Sequence, residues 1–253
     1  MTYQEKDLLR IHIFETRSEM GASAARDIER AVCEVIEKKE MCNVIFAAAP
    51  SQNEVLQGLA ESKKIDWSRV TAYHMDEYVG IASDAPQGFA RFLELALFSR
   101  VPLGKVEYLN CEADAEKETV RYANILRENP ADIVVMGIGE NGHIAFNDPH
   151  VAFFDDPELV KIVTLDEKCR QQQVNDGCFA TLEDVPITAM TLTIPALIAA
   201  PKVFCVVPAK TKAEAVCATV NGPVTEACPA SILRRHNNAI LYLDSDSSSL
   251  LKR

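Results

Sequence analysis

The sequence predicts an α/β fold: a three-layer α/β/α sandwich around a doubly wound, mostly parallel, Rossmann-like sheet. Three observations carry this. Short apolar runs alternate with longer segments of helical spacing along nearly the whole chain. Several of those runs are apolar at every position, Ile133-Val134-Val135-Met136 most clearly, which fits strands covered on both faces, as in parallel sheets. No Pro/Gly/Ser-rich linker, internal repeat or low-complexity block divides the 253 residues, so 1–253 reads as a single domain, long enough to bury a core without disulfide or structural metal.

Taken in order, strands are predicted at 10–14, 43–48, 69–74, 106–109, 132–136, 160–165, 190–193, 202–207 and 239–243. Helices are predicted at 19–39, 52–62, 89–99, 115–127, 194–199, 212–219 and 230–235. In the first helix Ala25, Ile28, Val32 and Val35 form a helical stripe. The β-α-β-α order implies right-handed crossovers. The terminal run Asp244-Ser245-Asp246-Ser247-Ser248-Ser249 reads as a solvated, frayed end.

Composition excludes several classes of function. The net charge of −11 argues against broad binding to nucleic acid or anionic membrane, while leaving room for a local basic pocket. The N-terminus MTYQEKDLLR has no apolar signal region, and no stretch of eighteen apolar residues occurs, so the protein is read as cytoplasmic, with neither export nor membrane insertion. Cys33, Cys42, Cys111, Cys169, Cys178, Cys205, Cys217 and Cys228 form no CxxC pair. They read as reduced thiols, several of them buried, and the spacing expected of a zinc site is absent.

Ligands of open α/β sheets bind at the carboxyl ends of the strands, so the residues after each strand carry the functional argument. After 132–136 the chain reads Gly137-Ile138-Gly139-Glu140-Asn141-Gly142-His143-Ile144-Ala145-Phe146-Asn147-Asp148-Pro149. The glycines, Gly139 and Gly142 among them, allow close backbone approach to a ligand. The spacing matches GxGxxG, but the turn at Asn147-Asp148-Pro149 replaces the helix that a dinucleotide fingerprint opens. His143 can move protons near neutral pH, with Asp148 or Asn141 orienting its ring; a structural histidine bonded to backbone is the alternative.

After 69–74 comes His74-Met75-Asp76-Glu77-Tyr78-Val79-Gly80. Neighbours on an extended chain point opposite ways, so only one of Asp76 and Glu77 should face a ligand, there to act as general base; otherwise the pair is a surface turn or a cap. After 43–48, Ser51 and Glu54 fit an S-x-x-E capping box at a helix start that also suits phosphate. Lys210 and Lys212 stand at another helix start, where a bound anion offsets an unfavourable dipole; exposed lysines are the alternative.

Together these residues resemble the glucosamine-6-phosphate deaminase (isomerase) family. HMDEYVG at 74–80 and GIGENGHIAFNDP at 137–149 carry the resemblance, supported by PQGF at 86–89, KTKAEAV at 210–216 and PASILRRH at 229–236. The resemblance implies an aldose–ketose isomerisation coupled to deamination: glucosamine 6-phosphate becomes fructose 6-phosphate and ammonia, with no metal or organic cofactor. It implies that Asp76 moves the proton between C2 and C1 and that His143 assists ring opening at O5. Asn141 and Asp148 match the acidic residues flanking that histidine. Lys212 matches a phosphate ligand, and Ser51, with Gln52 beside it, the phosphate-loop hydroxyl.

The chain departs from the family pattern at several points. AAAPSQNE replaces a Thr/Gly-rich phosphate loop, Asp148 a glutamate, and Asn141 an aspartate in some members. In the candidate lid near 150–187 the family's arginine has no clean counterpart; the substitute is Arg170. A short C-terminus implies no allosteric control comparable to that of longer members. The partner is a small amino-sugar phosphate, and the assembly a monomer or small homo-oligomer. Galactosamine 6-phosphate is the alternative amino sugar. A 6-phosphogluconolactonase-like hydrolase and a non-catalytic sugar-phosphate sensor are alternative activities, though lactonases typically carry a GHTASLFP-like stretch in place of GHIAFNDP.

Overall fold

The computed structural model describes residues 1–251. In chain order its elements are β1 (Thr2–Lys6), β2 (Leu9–Ile13), α1 (Arg17–Lys39), β3 (Cys42–Phe46), α2 (Asn53–Ala60), β4 (Val70–His74), β5 (Asp76–Tyr78), α3 (Phe89–Ala96), β6 (Lys105–Glu107), α4 (Ala115–Glu128), β7 (Ile133–Met136), β8 (Val160–Thr164), α5 (Glu167–Asn175), β9 (Thr188–Leu192), α6 (Ile194–Ile198), β10 (Lys202–Val207), α7 (Ala213–Asn221) and β11 (Ala239–Leu243). Eight strands form one sheet in the order β1-β2-β11-β10-β7-β3-β4-β6. All its pairs are parallel except β1 with β2.

Strand β7 shows why its run is apolar throughout. Ile133 and Val135 join the core on one face, with residues of α1, α2 and α3. Val134 and Met136 join the core on the other, with residues of α4, α6 and α7. Both faces are covered by helices, so neither parity of the strand can be polar.

The strand order places the functional site. From β3 the chain steps outward to β4 and β6, then returns to β7 beside β3 and steps the other way to β10 and β11. Crossovers therefore diverge at the β3–β7 boundary, and a crevice opens outside the carboxyl ends of these two strands. A second, antiparallel sheet of β5-β9-β8 lies next to it.

Four elements differ from the sequence expectation. The edge strand β1, the three-residue β5 and helix α5 were not anticipated, and the stretch 230–235 is a 3-10 helix, Pro229–Arg235, rather than α-helix. The terminal run is not frayed. The Asp244 carboxylate is buried and accepts the backbone N–H groups of Ala209 and Ser247, while Leu251 packs into the core. A carboxylate satisfied by backbone donors anchors a polar segment whose composition alone suggests solvation. All eight cysteines are free, and five of them are buried. Among the described residues no helix is long and apolar enough to cross a membrane.

Candidate active site

The loop after β7 folds on itself before it presents His143. The Gly139 N–H donates to the His143 carbonyl at 3.0 Å, and the Gly142 N–H donates to the Gly139 carbonyl at 3.0 Å. Gly142 has φ +85°, a conformation that glycine adopts without penalty. Its carbonyl accepts from the Ala230 N–H and its α-carbon faces Cys228, so Gly142 shapes the loop instead of lining the cleft as expected. Gly139 does line it. A Cβ there would lie 2.1–2.5 Å from the His143 ring. Gly139→Ala is expected to displace the imidazole and lower kcat by about 100-fold, a 1 Å misplacement being sufficient for that, with the thermal midpoint little changed; steady-state kinetics beside a melting curve checks both.

His143 is nine-tenths buried and reaches the cleft. Its Nδ1 lies 3.0 Å from Asp148 Oδ1, at ion-pair distance though without the alignment of a straight hydrogen bond. Asp148 is fully buried. Burial alone would raise its pKa, but His143, the Asn141 amide and the Asp166 N–H outweigh it and hold the carboxyl below its ordinary range. Asn141 bridges the Asp148 and Asp166 carboxylates through Nδ2, while its Oδ1 accepts the His143 N–H. Asn141 and Asp148 thus stand behind the histidine, away from the cleft wall. Asp166, which caps α5, completes the network; only the tertiary fold brings it there.

Asp76 and Glu77 diverge. Asp76 lines the cleft. Its pKa is raised well above the ordinary value, by burial first and by the neighbouring Glu77 charge second. Glu77 points the other way and accepts the N–H groups of Tyr78, Phe89 and Ala90, which caps the start of α3 and fixes Phe89 against the cleft. His74 is structural: its Nε2 accepts the Leu109 N–H at 2.7 Å, and burial depresses its pKa to about 3.

Lys212 and Ser51 line the same cleft. Lys212 lies at the start of α7, buried, its pKa lowered chiefly by that burial. Lys210 is exposed. Ser51 lines the wall and its hydroxyl accepts from Gln52 Nε2. Gln52 is fully buried and also donates to the Val206 carbonyl, so it braces the loop and does not itself line the cleft. The expected capping box is absent, because the Glu54 carboxylate is taken by Arg17 and α2 starts from a 3-10 turn with no side-chain cap.

Arg170 does not enter the cleft either. Its guanidinium donates to the carbonyls of Leu182 and Val185, and these backbone acceptors hold it away. Instead α5 contributes Gln172 and Gln173, the residue that ends it contributes Asp176, and α1 contributes Arg17. Sequence reasoning missed these four.

Comparison with known proteins bears on the chain as a whole. The profile of the family described as glucosamine-6-phosphate isomerases/6-phosphogluconolactonase matches residues 15–242. A glucosamine-6-phosphate deaminase of Listeria innocua is 37% identical over 222 residues, covering 86% of this chain and 93% of that protein. One of Streptococcus pneumoniae is 36% identical over 210 residues, covering 82% and 86%. Among solved structures, a monomeric glucosamine-6-phosphate deaminase superposes with a TM-score of 0.86 at 26% identity, over 95% of this chain and 99% of that one. A 6-phosphogluconolactonase of Thermotoga maritima superposes at 0.76 with 22% identity, over 92% and 98%, a likeness of fold alone. With residues 15–242 matched by the profile and relatives above one-third identity along most of its length, the chain belongs to the family of glucosamine-6-phosphate isomerases and 6-phosphogluconolactonases.

Proposed function

We propose that the protein deaminates and isomerises an amino-sugar phosphate, converting glucosamine 6-phosphate and water to fructose 6-phosphate and ammonia. The observation that carries the reading is the placement of Asp76 and His143 on one cleft wall set, with Lys212 and Ser51 in the same cleft. A carboxylate and an imidazole can divide the two proton transfers that the chemistry needs, and the lysine with the loop hydroxyl can hold the phosphate.

His143 acts first. With Nδ1 facing Asp148, Nε2 is the nitrogen left to carry a proton to the ring oxygen as the pyranose opens. Asp76 then takes the proton from C2 and returns it at C1. This shifts the carbonyl to C2 as an imine, and water hydrolyses the imine to ketose and ammonia. A base for so weak a carbon acid gains from a raised pKa, provided it is ionised when substrate arrives. Segment 150–187, through Gln172 and Gln173 of α5 and the Asp176 that follows it, acts as the lid that excludes bulk water.

The test is a panel: ammonia release from glucosamine 6-phosphate, N-acetylglucosamine 6-phosphate and galactosamine 6-phosphate, with 6-phosphogluconolactone hydrolysis alongside. The proposal expects ammonia from the first compound. Hydrolysis of the lactone without any ammonia would contradict it. Lys212→Ala is expected to raise KM about tenfold or more, the loss of one charge-assisted contact, with kcat little affected. An unchanged KM would remove Lys212 from the phosphate site.

A further inference from the structure

We propose that Arg17 is a phosphate ligand of this cleft, supplied by the rigid start of α1 in place of an arginine on the lid. The inference rests on the sugar-phosphate reading and deepens it. A phosphate monoester carries close to two negative charges near neutral pH. Inside a partly buried cleft that charge calls for more than one cation.

The lid supplies none. Helix α5 and the residue that ends it bring neutral Gln172 and Gln173 and the acidic Asp176 to the wall, and Arg170 is turned onto the carbonyls of Leu182 and Val185. Among the described residues that line the cleft, Arg17 is the one arginine and Lys212 the one lysine.

The chain places Arg17 there by close helix packing. Gly21 and Gly58 let α1 and α2 approach: a Cβ on Gly21 would lie 2.3 Å from Glu54 Cβ, and one on Gly58 would lie 2.7 Å from Ala25 Cβ. That approach seats the first turn of α1 over the Pro50–Gln52 turn, which carries Ser51. Arg17 Nε then donates to Glu54 Oε1 at 2.6 Å, and Nη2 donates to the Pro50 carbonyl.

These two contacts fix the plane of the guanidinium, while Nη1 has no hydrogen-bond partner among the described residues. A guanidinium held on one side and open on the other is suited to an oxyanion. Position also argues for a ligand. A cation in the first turn opposes the helix dipole, and a bound phosphate at that place reverses the sign of the interaction. Because α1 is part of the core, this contact forms without lid closure.

The competing role is a structural clamp between α1 and α2. Kinetics separates the two. Arg17→Ala is expected to raise KM for glucosamine 6-phosphate about tenfold or more while kcat stays within about threefold, since a charge-assisted contact shared by ground and transition states is lost. The inhibition constant of inorganic phosphate should rise in parallel. Arg17→Lys, which keeps the charge and loses the fork, should fall between wild type and Arg17→Ala, and stands as the test on its own if Arg17→Ala does not fold. Unchanged KM and unchanged phosphate inhibition would overturn the proposal. So would a fall in kcat and thermal midpoint with phosphate affinity intact, which is the clamp's signature. Should the wild type release no ammonia from any amino-sugar phosphate, the functional reading fails. Arg17 is then tested by thermal protection with inorganic phosphate, expected to be largest for wild type, smaller in Arg17→Lys and lost in Arg17→Ala; equal protection of all three would refute it.

Discussion

Asp76→Asn is expected to lower kcat by about two to four orders of magnitude, the usual contribution of a positioned general base, and to leave phosphate affinity within about threefold. The amide keeps the shape of the side chain and cannot take the C2 proton. The titration of Asp76 adds a second readout. Burial and the Glu77 charge raise its pKa well above the ordinary carboxyl value, and the base works only when ionised. Wild-type kcat/KM should therefore fall on acidification through that raised pKa, not through the ordinary carboxylate range. The stability effect has the opposite sense. A group with a raised folded pKa binds its proton more tightly folded than unfolded, so unfolding free energy falls as pH rises from the ordinary value to the raised one. Asp76→Asn removes that loss. At neutral pH the variant should melt at or above the wild-type temperature while it turns over almost no substrate. Loss of folding together with activity would mark Asp76 as structural.

His143→Gln is expected to lower kcat by about two to three orders of magnitude, less than Asp76→Asn. The difference follows from the chemistry. Amino-sugar phosphates open slowly in water without help, whereas the C2 proton of the open form needs a base. The residual rate should be limited by ring opening. An ammonia-release progress curve checks it. Wild-type turnover by His143→Gln would leave the Asp148–Asn141–Asp166 network without a catalytic purpose and return His143 to a structural role.

The parts of the fold legible in the sequence are those where one physical effect dominates. Burial on both faces makes β7 apolar at every position and β10 apolar from Val203 to Val207, so a run such as 133–136 announces a central strand. Glycine and histidine directly after such a strand announce the cleft. What stayed hidden depends on tertiary partners. Strand β1 is a largely exposed edge whose residues alternate weakly, and β5 is three residues, Asp76-Glu77-Tyr78, all buried. Hydropathy assigns two of those three to the surface, because it does not register the N–H donors that satisfy Glu77. Helix α5 is almost wholly polar, EKCRQQQVN, and is held by the Asp166 cap and by Arg170 instead of an apolar stripe. Asp244 was assigned to a frayed end for the same reason. Arg17 is the clearest case. It lies 34 residues before Ser51, and its role follows from the Gly21 and Gly58 contacts that bring α1 onto α2, which no local pattern records. The residues behind the cleft were read more closely: Asn141 and Asp148 do flank His143, with Asp166 as the unforeseen third member.

The most direct test of the central claim is the ammonia and fructose 6-phosphate formed from glucosamine 6-phosphate by the wild-type protein and by Asp76→Asn, measured side by side at neutral pH. The account predicts the two products in equal amounts from the wild type and almost none from the variant. Equal rates from both proteins, or no ammonia from the wild type, would contradict it.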